Sequence, residues 1–135
     1  MGPVYQKITI TESSKPVNKG INEELQWFGS SLGLFSLRDK NKSCFRIFIE
    51  LLKTSKKGKS LSSDEIADRL NLTRGTIIHH INKLMESGIV VNKKNRYMLR
   101  INSLSVLIRE VEKDFKKTYD DLKEVAEHID KELRL

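Results

Sequence analysis

The sequence predicts a mainly α-helical protein with one small β-hairpin and a long C-terminal helix. Three observations indicate this class. Apolar residues recur at helical spacing in three consecutive segments between residues 39 and 87, separated by residues that cap or end helices. Two β-prone runs follow, around a polar tetrapeptide. From residue 102 onward the chain has no Gly or Pro and keeps a helical apolar period.

The composition favours a polyanionic partner. The chain has 135 residues, enough for one small domain with appendages, and its 25 Lys and Arg against 18 Asp and Glu give a net charge of +7. Such a surface suits nucleic acid or an anionic membrane.

No segment has the ~18 consecutive apolar residues of a membrane span, and no membrane partner is expected. The N-terminus lacks the apolar stretch of a secretory signal, and Cys44 has no second cysteine to pair with. The cytoplasm is therefore the expected location.

The excess of positive over negative charge is confined to the middle of the chain. Residues 38–101 carry 15 basic and 6 acidic side chains, whereas residues 1–37 are neutral and residues 102–135 have a net charge of −2. These three segments are the predicted units: an N-terminal extension, a polyanion-binding domain and a C-terminal helix. A merely solvated, Lys-rich surface is the alternative explanation of the charge.

Clear start and stop signals divide the first two helices of the middle segment. The first helix is predicted from Asp39 to about Ser55, with Gly58 in the left-handed conformation after it. The second begins with a capping box, in which Ser62 is the N-cap and Glu65 stands three residues later.

A tight turn precedes the third helix. Asn71 can supply a left-handed turn, Thr73 is the predicted N-cap, and the helix runs from Arg74 to Ser87, closed by Gly88. Its buried face is the stripe at i, i+4 and i+7 that consists of Ile77, Ile81 and Leu84.

The period changes after Gly88. Residues 89–91 and 96–99 are β-prone and flank Asn92-Lys93-Lys94-Asn95, which predicts a hairpin over about 89–99 with a cationic tip. Two helices, a tight turn, a third helix and a hairpin are the order of a winged helix-turn-helix.

A set of residues in the middle segment forms a recognisable pattern: Glu65-Ile66-Ala67, Leu70, Leu72, Thr76-Ile77, His79-His80-Ile81, Leu84 and Gly88-Ile89-Val90. Through these features the chain resembles, over roughly residues 39–100, the ArsR-like winged helix-turn-helix transcriptional regulators, especially archaeal ones. MarR-like and other winged proteins share much of the pattern. The resemblance implies a homodimeric DNA-binding repressor or activator, with the third helix in the major groove.

The outward face of the third helix has the chemistry to read base pairs. Arg74 can bind guanine, Asn82 can bind adenine, and an exposed Ile78 suits the thymine methyl group. Lysines at the hairpin tip can reach flanking phosphates. The predicted DNA-binding residues are Thr73, Arg74, Thr76, Ile78, His79, Asn82, Lys83, Lys93, Lys94 and Arg96.

Three features of the third helix and the hairpin have simpler explanations, which the sequence leaves open. Gly75 either brings the helix backbone close to a ligand or is merely tolerated at a helix start. Ile78 is either exposed to DNA or buried under a neighbouring segment. The cations of the hairpin tip either contact phosphate or belong to a solvated turn.

The C-terminal segment predicts a dimerisation helix. Asn102 is the predicted N-cap, and some 30 residues of helix would span about 45 Å, too long to be covered by one small core. The apolar stripe therefore needs a second chain, in an antiparallel or crossing pair. A break near Lys117 to Asp120, which would fold the helix back on its own domain, is the alternative. The predicted interface residues are Leu104, Ile108, Val111, Phe115, Tyr119, Leu122, Ala126, Ile129 and Leu133.

The N-terminal extension is less informative. Residues 4–11 are weakly β-prone, and residues 13–20 indicate a linker around Pro16. Apolar residues recur at helical spacing over 21–37, which predicts a helix that packs against the C-terminal helix of one or both chains. Within it, Gly29 and Gly33 either permit close helix contact or break the helix.

Enzyme and metal signatures are weak. The chain has no Gly-rich phosphate loop, no nucleophile elbow and no His-Glu-x-x-His motif, and neither enzymatic activity nor a cofactor is expected. His79 and His80 are adjacent on a helix and cannot easily share one ion. His128 with Glu124 and Glu132 could form half of an interchain metal site, but i, i+4 surface pairing is the preferred interpretation, and no metal is predicted. The effector ligand, if any, is not indicated.

The sequence thus favours a homodimeric regulator that binds specific sites on double-stranded DNA and represses by occluding a promoter. A winged-helix protein-interaction module of the transcription or replication machinery is the main alternative. An RNA-binding winged helix is a third option, which the scarcity of exposed aromatic residues in the basic segment disfavours.

Overall fold

The computed structural model describes residues 4–5, 7–17, 20–36 and 42–134. Within them the predicted class is confirmed: the protein is mainly helical, with a small antiparallel sheet and a long C-terminal helix. The elements in chain order are α1 (Ile21–Ser31), α2 (Ser43–Lys56), β1 (Leu61–Ser62), α3 (Ser63–Leu70), α4 (Arg74–Glu86), β2 (Val90–Lys93), β3 (Arg96–Leu99) and α5 (Leu104–Leu133).

The core lies where α2, α3 and α4 meet, with β3 against α2. The predicted stripe of α4 is confirmed, because all three of its apolar side chains are at most 1% exposed. Burial of such side chains contributes roughly 1.5–3 kcal/mol each and fixes which face of α4 remains outside. The most deeply buried large side chains are Ile47, Phe48, Leu51, Ile66, Ile77, Ile81 and Leu84.

The local signals around α3 are confirmed. The Ser62 hydroxyl accepts from the Glu65 backbone N–H (3.1 Å), and the Glu65 carboxylate accepts from the Ser62 N–H (3.0 Å), which completes the capping box. Asn71 takes the left-handed conformation (φ 54°) after α3, and Gly58 has a φ of 70° after α2. Residues 39–41, where the first helix was predicted to start, lie outside the described residues, and α2 is seen from Ser43.

The sheet has one strand more than the predicted hairpin. Its order is β1-β3-β2, and both pairs are antiparallel. Strand β1 has only two residues, Leu61 and Ser62, and it pairs with Tyr97 and Arg96. A two-residue strand is too short to show alternation in the sequence, and its residues were interpreted only as the start of α3.

The predicted helix over 21–37 was wrong in its second half, because α1 ends at Ser31. Beyond that point Leu34 and Phe35 turn back into the core, and the Phe35 ring stands edge-on to Phe45 with centroids 5.4 Å apart. Gly29 makes room for this turn, since a β-carbon there would lie 1.8 Å from the Phe35 ring. Residue 37 lies outside the described residues. The extent of α1 therefore depended on a tertiary contact.

The N-terminal residues contact α5 within one chain. Residues 7–17 form no strand in the structure. Tyr5 is buried, its backbone N–H donates to Asp114 (2.9 Å), and its hydroxyl donates to Glu110 (2.9 Å). Val4 also passes close to Gly88, whose φ is 87°. A β-carbon at Gly88 would lie 2.6 Å from the Val4 carbonyl oxygen, so only glycine fits here without a shift of the backbone. The predicted packing of α1 on α5 of a second chain stays a prediction.

Helix α5 is continuous over 30 residues, which rules out the break considered near residues 117–120. Its N-cap is Ser103 rather than the predicted Asn102, since the Ser103 hydroxyl accepts from the Val106 N–H at 3.5 Å. Leu107 and Val111 join the core of their own chain, whereas every residue from 115 to 134 is exposed. Among the described residues, no helix combines the length and the apolar character needed to cross a membrane.

Candidate nucleic-acid interface

Helices α2 and α3 form a rigid support for α4. The Arg46 guanidinium donates to the Leu70 carbonyl at the end of α3 (2.6 Å), which satisfies a backbone acceptor that the helix leaves free. Glu50, one turn later on α2, lies 3.6 Å from the Arg69 guanidinium. The two contacts tie the C-terminal end of α3 to α2, and they fix the turn from which α4 starts.

Helix α4 begins at a well-formed cap. The Thr73 hydroxyl accepts from the Thr76 N–H (3.2 Å) and donates to the Thr76 hydroxyl (2.9 Å). The first residue of the helix, Arg74, has a side chain that is 72% exposed and lies 3.9 Å from Asp64 at the start of α3. An ion pair this long and exposed contributes little, so Arg74 can exchange it for another partner.

The predicted base-reading residues share the outward side of α4. Burial of Ile77, Ile81 and Leu84 turns the polar face outward, and Thr76 and Ile78 at its margin are half-buried. Ile78 is therefore neither fully exposed nor covered, an outcome between the two alternatives considered for it. The exposed members of the predicted set on this helix are Arg74, His79, Asn82 and Lys83, with the capping Thr73 before them.

Gly75 lies in the first turn of α4 on an open surface. A β-carbon built there has no atom of the described chain within 4 Å. Packing within the described chain therefore does not require a glycine at this position. The absence of a side chain leaves the helix backbone accessible beside Arg74.

His79 and His80 are neighbours on α4. Their rings are 5.1 Å apart and inclined by 66°, as expected for adjacent residues on a helix, with His79 exposed and His80 half-buried. Across the described residues, no group of three or more His, Cys, Asp or Glu side chains is placed to hold a metal ion. On α5, His128 lies 3.7 Å from Glu132, the i, i+4 contact expected on a helix surface.

The hairpin tip is a two-residue turn. Strands β2 and β3 pair through Lys93 and Arg96, and the turn residues Lys94 and Asn95 have φ angles of 54° and 62°. Positive φ at both positions is typical of the turns that match the twist of a hairpin. The Asn92 side chain accepts from the Asn95 N–H (2.9 Å) and holds the turn in place. Lys93 and Lys94 are exposed at this tip.

Arg96 lies at the start of β3, beside the tip as predicted, and it also has contacts within the protein. Its guanidinium donates to the Ser60 hydroxyl (3.1 Å) and carbonyl (2.9 Å) and lies 2.9 Å from the Glu65 carboxylate. It therefore connects the hairpin to the capping box of α3. The hydrogen bonds from Ser62, followed by the charge of Arg96, lower the pKa of Glu65. Sequence patterns do not reveal this link, because Ser60 and Arg96 are 36 residues apart.

These elements correspond to a known family of domains. Residues 46–91, from α2 into β2, match the family of winged helix-turn-helix DNA-binding domains. No curated protein matches the chain significantly, and neither does any solved structure. The matched region contains the capping box, the tight turn and the whole of α4. The chain therefore has a winged helix-turn-helix fold, and over residues 46–91 it is similar to domains of this fold that bind DNA.

Proposed function

We propose that the protein is a transcriptional regulator that binds specific sites on double-stranded DNA as a homodimer and represses by occluding a promoter. The observation that carries this proposal is the outward face of α4, where Arg74, His79 and Asn82 are exposed while the opposite stripe is fully buried. A regulator of this kind acts in the cytoplasm and needs neither enzymatic activity nor a cofactor. The resemblance to ArsR-like regulators favours repression over activation.

Base reading is assigned to α4 over about 74–87. An α-helix fits the major groove, where Arg can bind guanine through two hydrogen bonds and Asn can bind adenine in the same way. Arg74 and Asn82 are eight residues apart, about 12 Å along the helix, which separates them by roughly three to four base pairs. His79 lies between them, and the half-buried Ile78 can contact a thymine methyl group.

Backbone contacts are assigned to the hairpin over about 89–99. Lys93 and Lys94 project from a turn with a fixed conformation, so they can bind phosphates beside the groove that α4 occupies. Arg96 supports this geometry from within the protein, because it ties β3 to the start of α3. Because the Arg96 guanidinium already binds Ser60 and Glu65, a phosphate would have to join these contacts or displace one of them.

The proposed test is the selection of bound duplexes from a random pool. A homodimer with two α4 helices related by a two-fold axis should enrich an inverted repeat. Its half-sites should be separated by a whole number of helical turns, each about 34–36 Å. No enrichment would contradict sequence-specific binding and would favour the protein-interaction module.

Substitutions in α4 and in the hairpin should fail in different ways. Arg74→Ala should cost roughly 1–3 kcal/mol on the selected site and relax the preference at one position per half-site. Lys94→Ala should weaken binding to selected and scrambled duplexes equally and lower the salt slope by about one per lost phosphate contact. Lys131→Ala, on α5, is the charge-matched control for both. Equal losses on both duplexes for Arg74→Ala would move Arg74 to the phosphate-binding set.

Gly75 offers a test that separates DNA contact from folding. Gly75→Ala should leave stability unchanged or raise it by up to about 1 kcal/mol, because Ala is the better helix former and the position is open. If α4 approaches DNA closely at this turn, the same variant should bind the selected site less tightly. Unchanged affinity would show that Gly75 is only tolerated there. Thermal unfolding and titration with the selected duplex measure the two effects.

A further inference from the structure

The distal half of α5, from Phe115 to Leu133, carries an apolar stripe with a regular period. Steps of 4, 3, 4, 3 and 4 residues separate its six members. The five largest of them are 47–65% exposed, and Ala126 is exposed as well. Alternating steps of three and four are those of the a and d positions of a two-stranded coiled coil. The d positions are Phe115, Leu122 and Ile129, and the a positions are Tyr119, Ala126 and Leu133.

We infer that two copies of this chain pair their α5 helices antiparallel. The two-fold axis crosses the pair at the level of Glu124, midway between Leu122 and Ala126 along each helix. This inference rests on the proposed homodimer and specifies its interface. It selects one of the two arrangements, antiparallel or crossing, that the sequence left open, and it excludes the parallel, in-register pair.

The sizes of the side chains favour this register. In an antiparallel pair each a residue faces a d residue, so Leu122 meets the partner's Ala126 and Phe115 meets the partner's Leu133. Each layer then contains at least one large side chain, and the small Ala126 is always opposite a leucine. A parallel, in-register pair would instead place Ala126 against the partner's Ala126 and leave one thin layer between two thick ones. Uneven layers leave cavities, which cost stability.

The charges beside the stripe favour the same register. In the antiparallel pair residues at the e positions face each other, which brings Lys116 opposite the partner's Asp130, twice in the dimer. Lys116 already lies 3.5 Å from Asp120 on its own helix, so a second carboxylate would complete a small network. In the parallel pair each g residue faces an e residue of the partner. Thr118 would face the partner's Lys123, and Val125 would face the partner's Asp130, and neither pair has opposite charges.

Val125 gives a third, independent argument. It is 55% exposed and lies outside the predicted stripe, at a g position next to Ala126. The antiparallel register brings it opposite the partner's Val125 near the axis, where both bury apolar surface. The same register sets Lys123 opposite the partner's Lys123, and this like-charge pair is offset by Asp120 and Glu127 at i−3 and i+4 on each helix.

The register can be tested by disulfide cross-linking of the full chain. Leu122→Cys and Ala126→Cys chains, one of them carrying a mass tag, are oxidised separately and as a mixture. The wild-type chain is the control, because its Cys44 is only 2% exposed. The antiparallel register predicts cross-linked dimers in the mixture that join one chain of each kind, and little cross-linking of either variant with itself. Self-cross-linking of Ala126→Cys would indicate the parallel pair and overturn the inference.

A charge exchange tests the electrostatic argument. Lys116→Glu and Asp130→Lys should each raise the dissociation constant of the dimer about two- to thirty-fold, since two attractive pairs become repulsive. The double variant should restore it. Lys131→Glu makes the same charge change at an f position and also creates an i, i+4 acidic pair with Glu127, so it is the matched control and should have a smaller effect. Absence of rescue in the double variant would contradict the proposed pairing.

Sedimentation of the wild-type chain distinguishes failure of the register from failure of the dimer. A dimer that enriches an inverted repeat but gives no mixed cross-link would overturn the register and leave the proposed function intact. A monomer would overturn both the register and the homodimer.

Discussion

The winged domain and the distal half of α5 differ in where their apolar surface goes. In the winged domain the apolar stripes of α2, α3 and α4 face one another, and seven large side chains are less than 2% exposed. The stripe of α5 beyond Val111 is equally regular but is exposed within the chain. A regular apolar period thus identifies a face that is to be buried, whereas the structure shows whether one chain is enough to bury it.

The largest expected effect comes from matched leucine truncations in the two regions. Leu84→Ala should lower the free energy of unfolding by roughly 2–5 kcal/mol, because Leu84 is 1% exposed and its loss leaves a cavity. Leu122→Ala, at 65% exposure, should change the stability of the monomer by less than about 0.5 kcal/mol. Urea unfolding over a range of protein concentrations measures both. A large loss for Leu122→Ala at the lowest concentration would show that α5 is covered within its own chain.

A smaller effect is expected where Tyr5 contacts α5 just before its distal half. Tyr5→Phe should cost roughly 0.5–1.5 kcal/mol, because the hydrogen bond to Glu110 is lost in a partly buried place. Burial, followed by this hydrogen bond, raises the pKa of the Tyr5 phenol. Its contribution should therefore be fully present below about pH 10, the ordinary pKa of tyrosine, and decline as the pH rises further.

The control for this prediction is Tyr119→Phe, which removes an exposed hydroxyl from α5. Thermal unfolding between pH 7 and 11 at low protein concentration compares the two variants with the wild type. Equal stability of Tyr5→Phe and wild type at pH 7 would indicate that the hydrogen bond from the Tyr5 hydroxyl to Glu110 does not stabilise the fold.

The smallest effect concerns the link between Arg96 and the capping box. Hydrogen bonds from Ser62 lower the pKa of Glu65, so its carboxylate should stabilise the fold above about pH 4.5 and lose this effect as the pH falls through the lower native value. The difference in melting temperature between wild type and Glu65→Gln should accordingly shrink on acidification. Glu86→Gln removes the same charge elsewhere and measures the effect of net charge. A difference that stays constant down to pH 3 would contradict the electrostatic role of Glu65.

Local signals in the sequence were enough for the elements of the winged domain. The capping box of Ser62 and Glu65, the left-handed Asn71 and the stripe of α4 act within a few residues of chain, so the pattern specifies them directly. The features that were missed depend on distant partners. The end of α1 is set by Phe35 turning against Gly29, and β1 exists only because Leu61 and Ser62 pair with β3.

The candidate interface shows the same division. The outward position of Arg74, His79 and Asn82 follows from the helical period of α4, and the structure gives them the exposure that was predicted. From its charge and its place beside the turn, Arg96 is predicted to bind phosphate as Lys93 and Lys94 do. Its contacts with Ser60 and Glu65 arise from the pairing of β1 and β3, which the sequence did not indicate.

Sedimentation equilibrium of the full chain tests most directly the claim that a second copy covers the distal half of α5. At micromolar concentration we expect a species of twice the chain mass of 15.6 kDa. The variant Leu122→Glu, which places a charge in the exposed stripe, should sediment at the chain mass with an unchanged helical spectrum. A wild-type chain that sediments at 15.6 kDa, or a Leu122→Glu variant that stays dimeric, would contradict burial of the stripe by a second copy.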